Sequence, residues 1–129
     1  MSKTVKPKSK SKLPKKILLV EDEGQTGLTL NLVLSERQLE MDYVNSLLAA
    51  DEYLQKNKPP VIILDNKLPD GFGVDFISYV KKKYPEIKII MISGFGNARD
   101  VALNNGAEVF LEKPFSLEEL NEAIDKVFS

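Results

Sequence analysis

At 129 residues with 43% hydrophobic content, the chain has the size of one domain with one sizeable core, and two domains would not fit. It contains neither Cys nor His, which excludes disulfides, thiol nucleophiles, Ser-His or Cys-His catalysis and the common zinc sites, leaving carboxylates, hydroxyls, lysine and a hard metal for any chemistry. The net charge of -1 hides an asymmetry: residues 1–16 hold seven lysines and no acid, so from Ile17 onward 11 basic residues face 19 acidic ones, a net of -8.

The opening MSKTVKPKSKSKLPKK is read as a basic tail over residues 1–15, with the folded domain over residues 16–129. Such a tail suits a solvated linker, or contact with nucleic acid, an anionic membrane surface or an acidic partner, and no site is assigned to it. No run approaches the length of apolar sequence that a membrane span needs, and the lysine-rich start has no apolar segment of a secretory leader, so a soluble cytoplasmic protein is expected.

Short apolar runs then alternate with stretches of helical period. Ile17 to Val20 is almost purely aliphatic, as expected of a strand buried on both faces. A helix follows over about Gln25 to Arg37, with Leu28, Leu32 and Val33 predicted on its apolar side. Met41 to Val44 is a weaker strand, and Leu47, Leu48, Ala50 and Leu54 mark a second helix ended by Lys58-Pro59-Pro60. Val61 to Leu64 is again wholly apolar and stops at Asp65, after which Leu68-Pro69-Asp70-Gly71 reads as a turn and Val74 to Lys83 as a third helix. Ile87 to Ile92 is the fourth strand, followed by Ser93 and Gly94-Phe95-Gly96; Ala98 to Asn104 is a short helix capped by Asn105-Gly106. Val109 to Leu111 is a fifth strand, and the last helix starts at Ser116, three residues before Glu119, with Leu120, Ile124 and Val127 on one face.

Five βα units predict a parallel sheet covered by helices on both faces, an α/β doubly wound architecture. In such sheets ligands bind beyond the carboxyl ends of the strands. The residues in question are Glu21-Asp22-Glu23, Asp65, Ser93 and Lys113. Carboxylates gathered there repel one another unless a cation intervenes, and Mg²⁺ needs only two or three of them and a carbonyl because it keeps several waters. Asp22 and Asp65 are the best candidate ligands, with Glu21 binding directly or through water. Phosphoryl transfer needs in-line positioning and neutralised oxygens, which Mg²⁺, the Lys113 ammonium and the Ser93 hydroxyl could supply, with Asp65 as nucleophile.

These segments resemble the response regulator receiver domains of two-component systems over about Lys16 to Phe128. ILLVEDE is similar to the family's acidic-pair strand, VIILDNKLPDGFG to its phosphoacceptor strand and loop, IIMISG to its hydroxyl strand, and GAEVFLEKPF to its lysine strand. The resemblance implies a flavodoxin-like fold of five βα units with strand order 2-1-3-4-5. It implies that Asp65 accepts a phosphoryl group, that Glu21 and Asp22 help hold Mg²⁺, that Lys67 offers the metal its backbone carbonyl, and that Ser93 and Lys113 meet the phosphoryl oxygens. Pro114 is expected to follow a cis peptide bond, and Phe110 occupies the aromatic switch position.

Three positions depart from the common pattern. Glu21 replaces the usual Asp and reaches further. Phe110 lacks a tyrosine hydroxyl and must switch by packing. Lys67 sets a cation at the mouth of the site, where it is expected either to pair with Glu21 or to steer the attacking water, unless it simply faces solvent.

The implied function is a phosphoacceptor switch and not an enzyme in its own right. Its phosphodonor would be a histidine kinase or histidine phosphotransfer protein. Its output would pass through the fourth helix, fifth strand and fifth helix to a protein target, with a phosphorylation-dependent homodimer as a further expectation. Neither membrane contact nor direct nucleic-acid binding is expected. A phosphorelay intermediate and a receiver belonging to a larger regulator fit the same residues. Competing readings are a degenerate receiver that binds without phosphorylation, an aspartyl-phosphate hydrolase of the haloacid dehalogenase type, which needs a second Asp where Lys67 stands, and a flavodoxin-like cofactor binder, for which no phosphate loop follows the first strand.

Overall fold

The computed structural model describes residues 15–129, so the basic tail lies outside the described residues except for Lys15. In chain order the elements are β1 (Lys16–Val20), α1 (Gln25–Glu36), β2 (Glu40–Val44), α2 (Leu47–Lys56), β3 (Val61–Asp65), α3 (Gly73–Lys83), β4 (Lys88–Ser93), α4 (Arg99–Asn104), β5 (Val109–Glu112) and α5 (Leu117–Phe128). A small antiparallel hairpin, Lys67–Leu68 against Gly71–Phe72, links β3 to α3. Among the described residues no helix is long and apolar enough to cross a membrane.

The five long strands form one parallel sheet in the order β2-β1-β3-β4-β5, the order that the family resemblance implies. β3 is buried along its whole length and β1 along all but its first residue, because both lie inside the sheet with helices on each face. Side chains alternate between the two faces. Leu18, Val20, Ile62, Leu64, Ile89 and Met91 pack with Phe76, Ile77 and Val80 of α3 and Ala50 and Leu54 of α2 on one side. Ile17, Leu19, Ile63, Ile90 and Ile92 pack with α1 and α5 on the other.

The apolar side of α1 agrees with the predicted one at Val33 and differs at the leucines. Leu30, Val33 and Leu34 are buried, whereas Leu28 and Leu32 are 75% and 70% exposed. Leucine recurs at 28, 30, 32 and 34, so two faces of this helix are apolar and periodicity alone does not choose between them. Arg37, just past the helix, donates from Nη1 to Asn121 Oδ1 at 2.9 Å and pairs with Asp125, orienting α1 against α5.

The predicted start of α5 is present in full. Ser116 Oγ accepts the Glu119 N–H, and Glu119 Oε1 accepts the Ser116 N–H, so two unpaired donors of the helix end are satisfied reciprocally. β3, β4 and β5 run one residue further than the apolar runs suggest. β3 includes Asp65 and β4 includes Ser93, so both polar groups sit on the last residue of a strand rather than on a loop.

Candidate functional site

Register decides which strand ends meet. Val20 lies beside Leu64 and Asp65 beside Ile92, which places Glu21, Asp65 and Ser93 at the carboxyl edge of three neighbouring strands. Lys113 joins them because its N–H donates to the Ser93 carbonyl at 2.8 Å, holding the chain just beyond β5 against the end of β4. The Lys113–Pro114 peptide is cis, as expected.

Asp65 is 4% exposed. Its Oδ1 accepts the N–H of Asn66 at 2.8 Å and its Oδ2 accepts Lys113 Nζ at 3.0 Å. A charge-assisted pair of this kind lets a carboxylate remain buried. Ser93 is also buried, and its Oγ accepts the Phe95 N–H at 3.0 Å. A cleft of about 390 Å³ opens above these groups, lined by Asp22, Asp65, Lys67, Ser93 and Lys113 among others.

Glu21 is wholly buried and does not line that cleft. Its N–H continues the sheet to the Val44 carbonyl at 3.1 Å, and its Oε1 accepts the Gly24 N–H at 3.1 Å. Oε2 has no hydrogen-bond partner among the described residues. Burial pushes this carboxyl above the usual carboxylate range, opposed by the Gly24 N–H and the Lys113 charge. Burial and the nearby charges of Glu21 and Asp22 also raise the Tyr43 hydroxyl, which favours its neutral form.

A buried carboxylate oxygen without a donor is costly, and a cation at the strand ends would complete it. Glu21, Asp22, Asp65 and the Lys67 carbonyl are hard oxygen donors of the type that Mg²⁺ takes. Among the described residues no three acidic side chains form a ready-made cage.

Two of the predicted roles look different in place. Lys67 is exposed and makes no ion pair among the described residues, so its expected pairing with Glu21 is not formed. The Glu21 carboxyl is buried and its Oε1 engaged by Gly24, whereas Lys67 stands at the cleft rim. Phe110 is 6% exposed and packs inward with the cluster around α3 and α4, while the Arg99 guanidinium lies 5.9 Å from its ring centre. Packing and a cation over the ring thus stand where a phenolic hydrogen bond is unavailable.

Asn66 and Gly73 escaped the reading of the sequence. Asn66 receives the Gly73 N–H on its carbonyl at 2.7 Å and the Val74 N–H on Oδ1 at 3.0 Å, tying the start of α3 to the residue after Asp65. At Gly73 an added Cβ would stand 2.3 Å from the Asp65 carbonyl oxygen, closer than any real contact. The signal was present in DNKLPDGFG, but next to Gly71 at the end of the turn a second glycine two residues on carries no mark of its own.

A family model for the response regulator receiver domain matches residues 17–125. Among curated relatives, the chain is 31% identical to the response regulator protein PilR of Pseudomonas aeruginosa over 84% of this chain and 25% of that protein. It is 30% identical to the chemotaxis protein CheY of Thermotoga maritima over 88% of this chain and 97% of that one. The chain spans 48% of KdpE of Staphylococcus aureus, and so half or less of two of the regulators it matches. Among solved structures, the beryllofluoride-activated NtrC4 receiver domain dimer superposes with a TM-score of 0.82 at 35% identity, over 88% of this chain and 95% of that one. TrrA of Thermotoga maritima, solved with Mg²⁺ and BeF, gives 0.79 at 27%, over 88% and 98%. Matched along most of its described length in sequence and in fold, this chain belongs to the response regulator receiver domains of two-component systems.

Proposed function

We propose that this receiver is a phosphoacceptor switch: Asp65 takes a phosphoryl group from a phosphohistidine in a Mg²⁺-dependent transfer, and the surface of α4, β5 and α5 passes the change to a protein partner. The observation that carries the reading is the pairing of a buried Asp65 with Lys113 Nζ at 3.0 Å, on the floor of an open cleft whose wall includes Ser93 and Asp22.

An oxygen of Asp65 attacks phosphorus while the P–N bond to the donor imidazole breaks, and the imidazole leaves with its electron pair and takes up a proton. Lys113 then follows the charge from the carboxylate to a phosphoryl oxygen, and Ser93 donates its O–H to another phosphoryl oxygen, a movement that carries Oγ away from the Phe95 N–H it accepts. When bound, Mg²⁺ would be held by Glu21, Asp22, Asp65 and the Lys67 carbonyl and would neutralise the remaining phosphoryl charge. Release of Ser93 from Phe95 frees the loop before α4, on which Arg99 covers Phe110. This gives phosphorylation a route to α4 and β5.

The donor class is a histidine kinase or histidine phosphotransfer protein, as the two-component family supports. The dimeric, activated state of the NtrC4 receiver supports self-association of this chain on phosphorylation. With Mg²⁺ and acetyl phosphate, the protein should gain one base-labile phosphoryl group by mass spectrometry, and Asp65→Asn should gain none. Absence of any mass gain at saturating donor would leave a binding module that works without phosphorylation.

A further inference from the structure

α2 begins with an arrangement that its own sequence does not complete. Its N-cap, Ser46, satisfies the Ala49 N–H through Oγ at 3.0 Å. The N–H groups of Leu47 and Leu48 remain, and both donate to one carboxylate from elsewhere in the chain. Leu47 N–H reaches Asp70 Oδ1 at 2.9 Å and Leu48 N–H reaches Asp70 Oδ2 at 3.0 Å. An anion at this position meets both unpaired donors and the positive end of the helix dipole. The same two N–H groups hold the Asp70 carboxyl below the usual carboxylate range.

Asp70 stands at the tip of the hairpin that follows Asp65. The next residue, Gly71, has φ 150°, and a Cβ there would come within 3.1 Å of Leu47 Cδ1. Two adjacent residues therefore seat the hairpin tip on the first turn of α2. The foot of the hairpin is held separately at Asn66, through the Ile92 carbonyl and the N–H groups of Gly73 and Val74. Between these two anchors lie Lys67, Leu68 and Pro69, and all three line the cleft.

We propose that Asp70 is a positioning residue for the metal site: its two hydrogen bonds to the amino end of α2 fix the hairpin and with it the Lys67 carbonyl. The start of α2 and cation binding are then coupled. The inference rests on the Mg²⁺-dependent reading above. It departs from an ordinary helix cap, whose loss would lower stability and leave cation affinity unaltered.

Mg²⁺ titrations of the full chain followed by calorimetry separate the two roles. The Asp70 side chain is exposed, so Asp70→Ala leaves no cavity and should fold. It should weaken Mg²⁺ binding about tenfold, the lower range for loss of an outer partner of a metal ligand. Asp70→Asn keeps one of the two accepting oxygens and should fall between the two, within about threefold of the wild type. Coupling is reciprocal, so Mg²⁺ should also slow hydrogen exchange at the Leu47 and Leu48 amides of the unaltered protein. Equal Mg²⁺ affinity in wild type and Asp70→Ala, with only a lower Tm, overturns the proposal. Failure of the wild type to bind Mg²⁺ overturns it together with the metal reading, and that outcome is visible before any variant is made.

Discussion

Glu21 answers two opposed demands. A carboxyl with no exposure and one unpaired oxygen weakens the fold when ionised, yet the same oxygen is what a cation at the strand ends would use. Because burial raises its pKa, the folded state holds a proton over a range in which the unfolded chain has lost it. Stability from this group is therefore greatest at low pH and falls as pH rises through the interval above the ordinary carboxylate value. Glu21→Gln should stabilise the Mg²⁺-free protein at pH 7 in urea unfolding, with the gain shrinking as pH falls, while weakening Mg²⁺ binding. A variant no more stable than wild type at pH 7 would show that Glu21 is already compensated. At this scale the sequence was informative about which residues meet and less so about their surroundings. Asp65, Ser93 and Lys113 were legible because each follows an aliphatic run. That Glu21 is buried while its neighbour Asp22 is exposed depends on the continued pairing of its N–H with Val44, and the freedom of Lys67 depends on the same burial.

Among the elements, α1 separates pattern from packing most clearly. Its alternating leucines offer two apolar stripes, and the Arg37 contacts with Asn121 and Asp125 accompany the stripe of Leu30, Val33 and Leu34 turned inward. Leu30→Ala should cost about 3 kcal/mol as a buried truncation. Leu32→Ala should change stability by less than about 0.5 kcal/mol as a surface substitution. Both are measured by denaturant midpoint at constant m-value, and equal losses would restore the stripe that the spacing suggested. The other elements were readable because they carry stronger local signals: two wholly aliphatic strands, the Lys58-Pro59-Pro60 break and the Ser116–Glu119 capping box. The Asp70 cap on α2 had no such signal, since its two ends are 22 and 23 residues apart in the chain.

Across the molecule, the candidate site is shared by β1, β3, β4 and the chain after β5, and each face of the sheet has its own apolar cluster. Strand alternation and the placement of polar residues after each strand made this architecture readable, whereas the pinning of the loop from Asn66 to Gly73 emerges only from long-range contacts. A ligand that touches several strand ends stabilises the fold as a whole by mass action. Mg²⁺ at a hundred times its Kd should add about 2.7 kcal/mol and raise Tm in scanning calorimetry, and an unchanged Tm across that range would argue against a site assembled by the fold. The 2.3 Å gap at Gly73 also bears on transplantation. A designer who copied every carboxylate, the hydroxyl and the lysine onto another parallel sheet would still fail with alanine eight positions after the strand-end aspartate, because the methyl group would push the following helix off the strand that presents Asp65. The portable unit is the acid together with an empty space downstream.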